Sequence, residues 1–336
     1  LECIKNQDYD HNNMEVVLVD GASTDNTRAL MCEFALDNKD EFRRVVVLDN
    51  PKKTLPSGWN VALREYKGDA IIKVDAHAVI PEDFVSKNVR VLETGEYICG
   101  GQRPNIIDKP TPFKETLLLA ESSMFGSSIA SYRNNPGKTY VKSLFHAAYR
   151  REVFEKVGFF NEELVRTEDN EIHYRMRKAG YKLCFDPDII SYQYTRSSLK
   201  AMLKQKYANG YWIGKTSKVC PKCLSIYHFV PFAFVSAIIA SGSVIGATGL
   251  AECIKKRHNH TLGKGISALR KVTVVLTTVM WVLYALMASG MAAVSAFKAE
   301  DKRNITNACL PVLFLLLHLS YGIGTIAGLM DKSKRG

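Results

Sequence analysis

The chain has 336 residues, of which 46% are hydrophobic and 24% charged, and its formal net charge is +11. That length leaves room for one large α/β domain and something smaller. The basic excess admits nucleic acid, an anionic membrane surface or a phosphorylated ligand, but aromatic RNP-type motifs and paired zinc spacings do not occur, so nucleic acid is not an expected partner.

In chain order, residues 1–8 read as the tail of a helix. Glu15-Val-Val-Leu-Val-Asp20 is a short apolar run ending in an acid, and Gly21-Ala-Ser-Thr-Asp25 after it supplies N-cap candidates for a helix to about residue 37. Val45-Val-Val-Leu48 repeats the strand pattern, Gly58 to Lys67 reads as a helix, and Asp69-Ala-Ile-Ile-Lys-Val-Asp75 is a further strand ending in an acid. Pro81 with Glu82 and Asp83 opens the next helix. Strands alternating with helices predict parallel βαβ units in a doubly wound α/β sheet, within a domain over residues 1–220. Ligands of such sheets bind at the carboxyl ends of the strands, where Asp20 and Asp75 both fall. GxGxxG and Walker A sequences are absent, which counts against a nicotinamide enzyme and a P-loop site.

From 226 to 330 the composition turns apolar, and a membrane domain is predicted. Segments 227–250, 272–297 and 305–330 are each long enough to cross a bilayer core, which takes about 20 residues. Basic residues border them, as in Lys255-Lys256-Arg257 and Lys332, Lys334 and Arg335, the pattern of cytoplasmic ends. The basic 251–271 stretch stays cytosolic if the first segment dips in and returns as a re-entrant hairpin, with Pro231, Gly242, Gly246 and Gly249 permitting the turn. The other two segments then cross. Eight cysteines follow no signal-peptide pattern and are expected as reduced thiols. Cys220-Pro-Lys-Cys223 would need two more ligands to hold zinc, and His258 and His260 complete no standard spacing.

Three clusters could carry chemistry. Asp75-Ala76-His77 offers ligands at i and i+2, which extended backbone points to one side, suited to a divalent cation of the kind that neutralises a diphosphate. A strand-ending Asp that caps the next helix is the other reading. Thr167-Glu168-Asp169-Asn-Glu171 gathers acids at a helix start, where a general base is one role and complementing the helix dipole another. Glu171 and Arg175 form a structural i,i+4 pair. Gln205-Lys-Tyr-Ala-Asn-Gly-Tyr-Trp212 combines amide and aromatic groups suited to sugar hydroxyls and faces, and an interfacial aromatic belt accounts for Tyr211 and Trp212 equally well.

Taken in order, these pieces resemble the family 2 glycosyltransferases of the GT-A fold over about residues 1–215. The resemblance lies in Asp20 with Gly-x-Ser-Thr-Asp, Asn50-Pro51 and Gly58-x-Asn60, Lys67-Gly-Asp and Asp75-Ala-His, Arg150-Arg-Glu-Val-Phe and Gly158-Phe-Phe-Asn-Glu162, and Thr167-Glu-Asp169. Within that family the chain looks most similar to the ExoA-type succinoglycan biosynthesis transferases, which join Val-Asp-Gly-x-Ser-Thr-Asp and Asp-Ala-His to C-terminal membrane segments. His318-Leu-Ser-Tyr-Gly-Ile-Gly324 adds to the likeness.

The resemblance implies a Rossmann-like nucleotide-sugar-binding domain of an inverting, membrane-anchored hexosyltransferase. It implies a nucleotide-diphosphate sugar donor, with UDP the expected nucleotide. The implied acceptor is a lipid-linked glycan of extracellular polysaccharide synthesis, reached from a domain facing the cytosol at the cell membrane. Asp20, Asn60 and Asp75 would contact the donor. Asp75 and His77 would hold Mn2+ or Mg2+, Asp169 would be the general base with Glu168 helping, and Gln205 and Trp212 would meet the acceptor. There are departures. Gly21 stands where many relatives have a second Asp, His77 replaces the second acid of Asp-x-Asp, and the Arg of the family's Gln-x-x-Arg-Trp is out of register. The first strand that relatives carry before the helix near Leu1 has no counterpart, so either the sequence is a fragment or the sheet lacks that strand. A membrane scaffold with a degenerate, inactive transferase domain is the alternative.

Overall fold

The computed structural model describes residues 1–126, 137–257, 263–299 and 304–332. His258, Asn259, His260, Lys334 and Arg335 lie outside them. Helix α1 (Glu2–Lys5) is the expected helix end, and strand β1 (Glu15–Asp20) follows. Its residues alternate between half-buried and buried, the period-two pattern of a strand with one face on a core. Helix α2 (Thr27–Asp37) crosses over to β2 (Arg44–Asp49), which pairs with β1 in parallel from Glu15↔Arg44 to Asp20↔Asp49. Val16, Leu18, Phe34 and Phe42 form the small core of this unit.

The chain continues through α3 (Leu55–Glu65), β3 (Ala70–Ile72), β4 (Ala78–Val79), α4 (Phe84–Glu93), β5 (Ile98–Gln102), β6 (Asn105–Ile106) and α5 (Pro112–Ser122). Then come β7 (Thr139–Val141), β8 (Ala148–Arg150), α6 (Arg151–Val157), α7 (Glu168–Lys178), β9 (Leu183–Ile190), β10 (Tyr192–Tyr194) and α8 (Leu199–Val219). Among the described residues a five-stranded sheet runs β3-β8-β5-β9-β7, and a three-stranded one β4-β10-β6. The parallel pairing expected from the alternation is present in β1–β2, β6–β10 and β5–β9, and the other described pairs run antiparallel. Only β5 and β9 pair in parallel in the larger sheet, while β8 runs antiparallel between β3 and β5. Antiparallel neighbours need no crossover helix, so β8 inserts without one and leads straight into α6. Ile98, Tyr149, Val153, Ile172, Met176 and Phe185 pack this sheet against α6 and α7.

β1 and β3 belong to different sheets and face a groove of about 1380 Å3. Consecutive residues line it on both sides, Glu15 to Val19 and Asp69 to Ile72. A strand showing only one face would contribute alternate residues, so here the strand edges themselves border the opening.

Beyond α8 come three long helices, α9 (Val230–Arg257), α10 (Lys264–Lys298) and α11 (Leu310–Met330), each with a stretch long and apolar enough to cross a membrane. The expected re-entrant break in the first is not there, and α9 is one continuous helix. Pro231 falls in its opening turn, where a missing N–H costs nothing. Nothing crowds Gly242 or Gly246, so no contact drives a turn. α11 packs in parallel along α8, and glycines make the approach possible. A Cβ on Gly210 would sit 1.9 Å from the Tyr321 carbonyl oxygen, and one on Gly324 would sit 2.1 Å from that of Tyr207. Gly210-Tyr-Trp-Ile-Gly214 thus meets Gly324-Thr-Ile-Ala-Gly328 backbone to backbone, a small-xxx-small seam. Gly210→Ala should therefore destabilise the protein by about 1–3 kcal/mol, the usual cost of overpacking. Gly242→Ala, in open space, should instead gain about 0.5–1 kcal/mol of helix propensity. Thermal melts of the two variants in detergent will check the contrast.

Candidate active site

Past Ile72 the chain leaves the strand pairing but stays tied to the sheet, since the Lys73 N–H donates to the Ala147 carbonyl at 2.9 Å. That tether aims Lys73 inward, to 3% exposure. Its ammonium donates to Asp169 Oδ1 at 2.7 Å and lies 3.7 Å from Glu168 Oε1. The rings of Trp59, Phe145 and Phe160 stand 5.3–6.0 Å from it. The acids at the start of α7 are therefore not simple dipole partners, because Asp169 spends an oxygen on a cation from another element. Thr167, the N-cap residue, makes no side-chain cap either, and its hydroxyl is hydrogen-bonded to that of Thr216 on α8.

The charges follow from burial and proximity. Burial pushes the Glu168 carboxyl up to about 8, and the neighbouring Asp169 adds to the rise. Burial also raises Asp169, and Lys73 offsets only part of this. Burial works against the charge on Lys73, but Asp169, Glu168 and Asp75 outweigh it and hold the ammonium firmly protonated. The cluster thus sets Glu168, its carboxyl raised by burial, beside the Asp169–Lys73 pair. Asp75 is nearby, with Oδ2 3.6 Å from His146 Nε2, and His146 Nδ1 lies 2.9 Å from Ser191 Oγ. Burial raises the Asp75 carboxyl, yet His146 and Lys73 prevail and keep it well below the usual range.

Asp75 Oδ1 is buried with no hydrogen-bond partner. An unpartnered carboxylate oxygen suits a hard divalent cation, so Asp75 fits as one metal ligand. A pairing with His77 does not rest on extended backbone here. Residues 75–78 form a turn closed by the Ala78 N–H on the Asp75 carbonyl, so the i,i+2 alignment of extended backbone does not apply. His77 is exposed, and its Nε2 takes the Gln193 amide at 2.6 Å. No group of three or more His, Cys, Asp or Glu with metal-holding geometry exists among the described residues.

The remaining expected residues divide. Asp20 ends β1 buried, accepts the Ser23 N–H at 3.2 Å and lies 3.8 Å from Arg28. The Ser23 hydrogen bonds and Arg28 hold its carboxyl low against burial. Next to it Gly21 shares one groove with Asn50, Thr54, Gly58, Asp75 and Ala76, so the residue after Asp20 and Asp75 itself border a common opening. Asn60 does not offer itself to a ligand. It is buried, its amide donates to Phe160 O and Glu162 Oε1, and its oxygen accepts the Phe160 N–H. Gln205 and Trp212 lie on α8, but Asn209 and Thr216 are the α8 residues that touch the approach to α7, through Arg166 and Thr167. Sequence reading missed Lys73 and His146. Lys73 had a signal, a lysine inside the apolar run Ala-Ile-Ile-Lys-Val-Asp, since a buried charge must have a partner. His146 had none.

The raised Glu168 value gives a signed pH dependence. A group protonated in the fold up to about 8 but ionised in the unfolded chain above about 4.5 contributes stability that is complete below that lower value. The contribution is lost as pH climbs toward the upper one. Thermal stability should therefore fall between about pH 5 and pH 8, and Glu168→Gln should flatten that fall in melts taken across the range.

Residues 1–158 match the profile of Glycosyl transferase family 2. The succinoglycan biosynthesis protein ExoA of Rhizobium meliloti (strain 1021) is 30% identical over 203 residues, covering 59% of this chain and 59% of that protein. The chain thus aligns with about three fifths of ExoA. A dolichyl N-acetyl-alpha-D-glucosaminyl phosphate 3-beta-D-2,3-diacetamido-2,3-dideoxy-beta-D-glucuronosyltransferase of Methanococcus voltae is 26% identical over 242 residues, 70% of this chain and 73% of that one. In structure, the mannosyltransferase PcManGT from Pyrobaculum calidifontis, solved with GDP-Man and Mn2+, superposes with a TM-score of 0.56 over 99% of this chain and 82% of its own, at 17% identity. The match identifies residues 1–158 as a Glycosyl transferase family 2 domain, and the superposition shows the fold shared along the chain.

Proposed function

We propose that this chain is an inverting hexosyltransferase that moves a sugar from a nucleotide-diphosphate donor, a UDP-sugar, to a hydroxyl of a lipid-linked glycan in extracellular polysaccharide synthesis. The observation that carries the proposal is the Lys73–Asp169–Glu168 cluster beside Asp75 at the carboxyl edge of the sheet. The printed names of ExoA and the Methanococcus enzyme support a glycan product, and the latter's name supports a lipid-linked acceptor. The domain is placed in the cytosol at the cell membrane, where nucleotide sugars are made.

In this reading the acceptor oxygen attacks the anomeric carbon from the face opposite the leaving nucleoside diphosphate. The new C–O bond forms as the bond to the diphosphate oxygen breaks, and the hydroxyl proton passes to Asp169. Lys73 fixes one Asp169 oxygen and leaves the carboxylate's other oxygen for that proton. Protonated Glu168 donates a hydrogen bond that orients the acceptor. Asp75 is the residue that would hold a divalent cation, Mn2+ or Mg2+, with His77 joining once it gives up Gln193. Such a cation, when bound, neutralises the departing diphosphate. The PcManGT structure, solved in complex with GDP-Man and Mn2+, supports this reading. An inactive scaffold is disfavoured because a buried lysine with two acids is costly to maintain without a task.

Release of nucleoside diphosphate from a panel of donors, followed in purified membranes, tests the proposal, and no turnover with any donor would sink it. Asp169→Asn should lose about 10²–10⁴ in turnover while donor affinity stays close to wild type. Excess chelator should abolish transfer, with Mn2+ or Mg2+ restoring it; undiminished transfer under chelation would refute the metal role of Asp75.

A further inference from the structure

Three helices are apolar enough to cross a membrane, but they are not equivalent. Of the most apolar stretch of α11, 39% is buried within the protein, against 6% in α9 and 6% in α10. Both ends of α11 are also bonded to the N-terminal domain. At its entrance, Thr306 Oγ1 donates to the Pro112 carbonyl at 3.0 Å and lies 2.6 Å from Thr116 Oγ1, while Asn304 donates to Pro112 at 3.3 Å. At its exit, Asp331 pairs with Lys215 at 3.4 Å, accepts from Tyr211 OH, and takes the Lys218 ammonium on its carbonyl at 2.8 Å. Lys215 and Lys218 flank Thr216, which is bonded to Thr167 at the head of α7.

We propose that α11 is a docking helix that never crosses the bilayer. Only the α9–α10 hairpin meets lipid hydrocarbon; it crosses twice and carries residue 263 to the face opposite the N-terminal domain. The limit on α11 is one of reach. Ile106 is fixed in the β6–β10 ladder opposite Tyr194, and Pro112 is bonded to the entrance of α11. Six residue steps separate them, a span of roughly 20–22 Å at full extension. A bilayer core is about 30 Å thick, so the entrance of α11 cannot lie across it from the sheet. The surroundings agree. Lys114 at that end donates to the Asp108 and Lys109 carbonyls, and α8, which lines the second half of α11, carries Lys204, Lys215 and Lys218. Such residues belong in water or at an interface.

The hairpin has the opposite character. α9 and α10 contain 28 and 35 residues, about 42 Å and 52 Å at 1.5 Å per residue. They run antiparallel, with Phe234 stacked on Tyr284 near the base and Glu252 paired with Arg270 near the tip. Ile239, Leu250, Val275, Leu276, Leu283 and Leu286 stand exposed along them. α9 has no separate polar face, which an interfacial helix requires, so where it does not pack on α10 and α11 its environment is hydrocarbon. Lys255, Lys264 and Lys271 at the tip then reach the headgroups of the far leaflet. This goes against the positive-inside tendency for a cytosolic domain, which is why the tip is tested directly.

Single-cysteine labelling with a membrane-impermeant maleimide, in sealed vesicles before and after permeabilisation, decides it. Cys3, Cys32, Cys220, Cys253 and Cys309 are replaced by serine and the buried Cys99, Cys184 and Cys223 are kept. Ile305→Cys and Met330→Cys report on the two ends of α11, both highly exposed positions. Leu36→Cys marks the N-terminal domain, and Gly263→Cys marks the hairpin turn. Native Cys309, retained alone, reports on the entrance of α11 without a new substitution. The expected result is labelling of Ile305→Cys, Met330→Cys, Leu36→Cys and Cys309 from one face only, and of Gly263→Cys from the other. Labelling of the two ends of α11 from opposite faces would make it a span and overturn the proposal. Labelling of Gly263→Cys from the same face as Leu36→Cys would equally overturn it, by removing the crossing of the hairpin.

Discussion

Lys73 sets the terms for the whole N-terminal domain. Its ammonium is buried at the end of β3, and a cation there must be paired. The partners come from the first turn of α7, nearly a hundred residues later, so one ion pair fixes a helix against a sheet edge. Breaking such a pair by removing one member costs about 3–5 kcal/mol, because the survivor is left charged in a poor solvent. That is a large share of the 5–15 kcal/mol by which a domain is stable. The same pair draws Asp169 to the cation, while burial raises the carboxyl of Glu168 beside it.

The head of α7 is also held from behind. Thr167 is bonded to Thr216, and Arg166 donates to Asn209 at 2.9 Å, so α8 braces the loop that carries the acids. α8 in turn is clamped to α11 along a seam where glycines let the two backbones touch. A second clamp is buried nearby, where Lys206 of α8 pairs with Glu121 of α5 at 2.8 Å. The membrane-proximal helices therefore bear on the site through a short chain of direct contacts. Movement of α11 relative to α5 would be felt at Thr167 after passing through a single helix.

Much of this was legible in the residues. The alternation in Glu15–Asp20, the helix after Asp25, the strand at Val45–Leu48 and the helix start at Thr167 all stand where periodicity and capping put them. The i,i+4 pair of Glu171 and Arg175 is present, with Nε donating to Oε1 at 2.6 Å. Local signals succeed where local physics decides. They fail where the deciding partner is distant in sequence. Nothing near Asn60 announces that its amide is committed to Phe160 and Glu162, about a hundred residues away. Nothing in Asp75-Ala-His tells an extended run from the turn that Ala78 closes. The direction of β8 is likewise a property of the assembled sheet. The glycines of α9 suggested a break by composition, yet helix hydrogen bonds persist where no contact offers the backbone an alternative.

The separation of β1 from β3 has a mechanical consequence. A continuous sheet is stiff because every strand is tied to the next by a ladder of hydrogen bonds. Here that ladder is interrupted between the strand that ends in Asp20 and the one that leads to Asp75. Across the gap a side-chain clasp does part of the work. Glu15 pairs with Arg44 on its own side and accepts the Lys67 N–H at 2.6 Å on the other. The clasp lies at one end, and at the other Gly21 and Asp75 border the groove. The groove is thus closed at one end by side chains, while along its sides strand edges face it with backbone donors and acceptors.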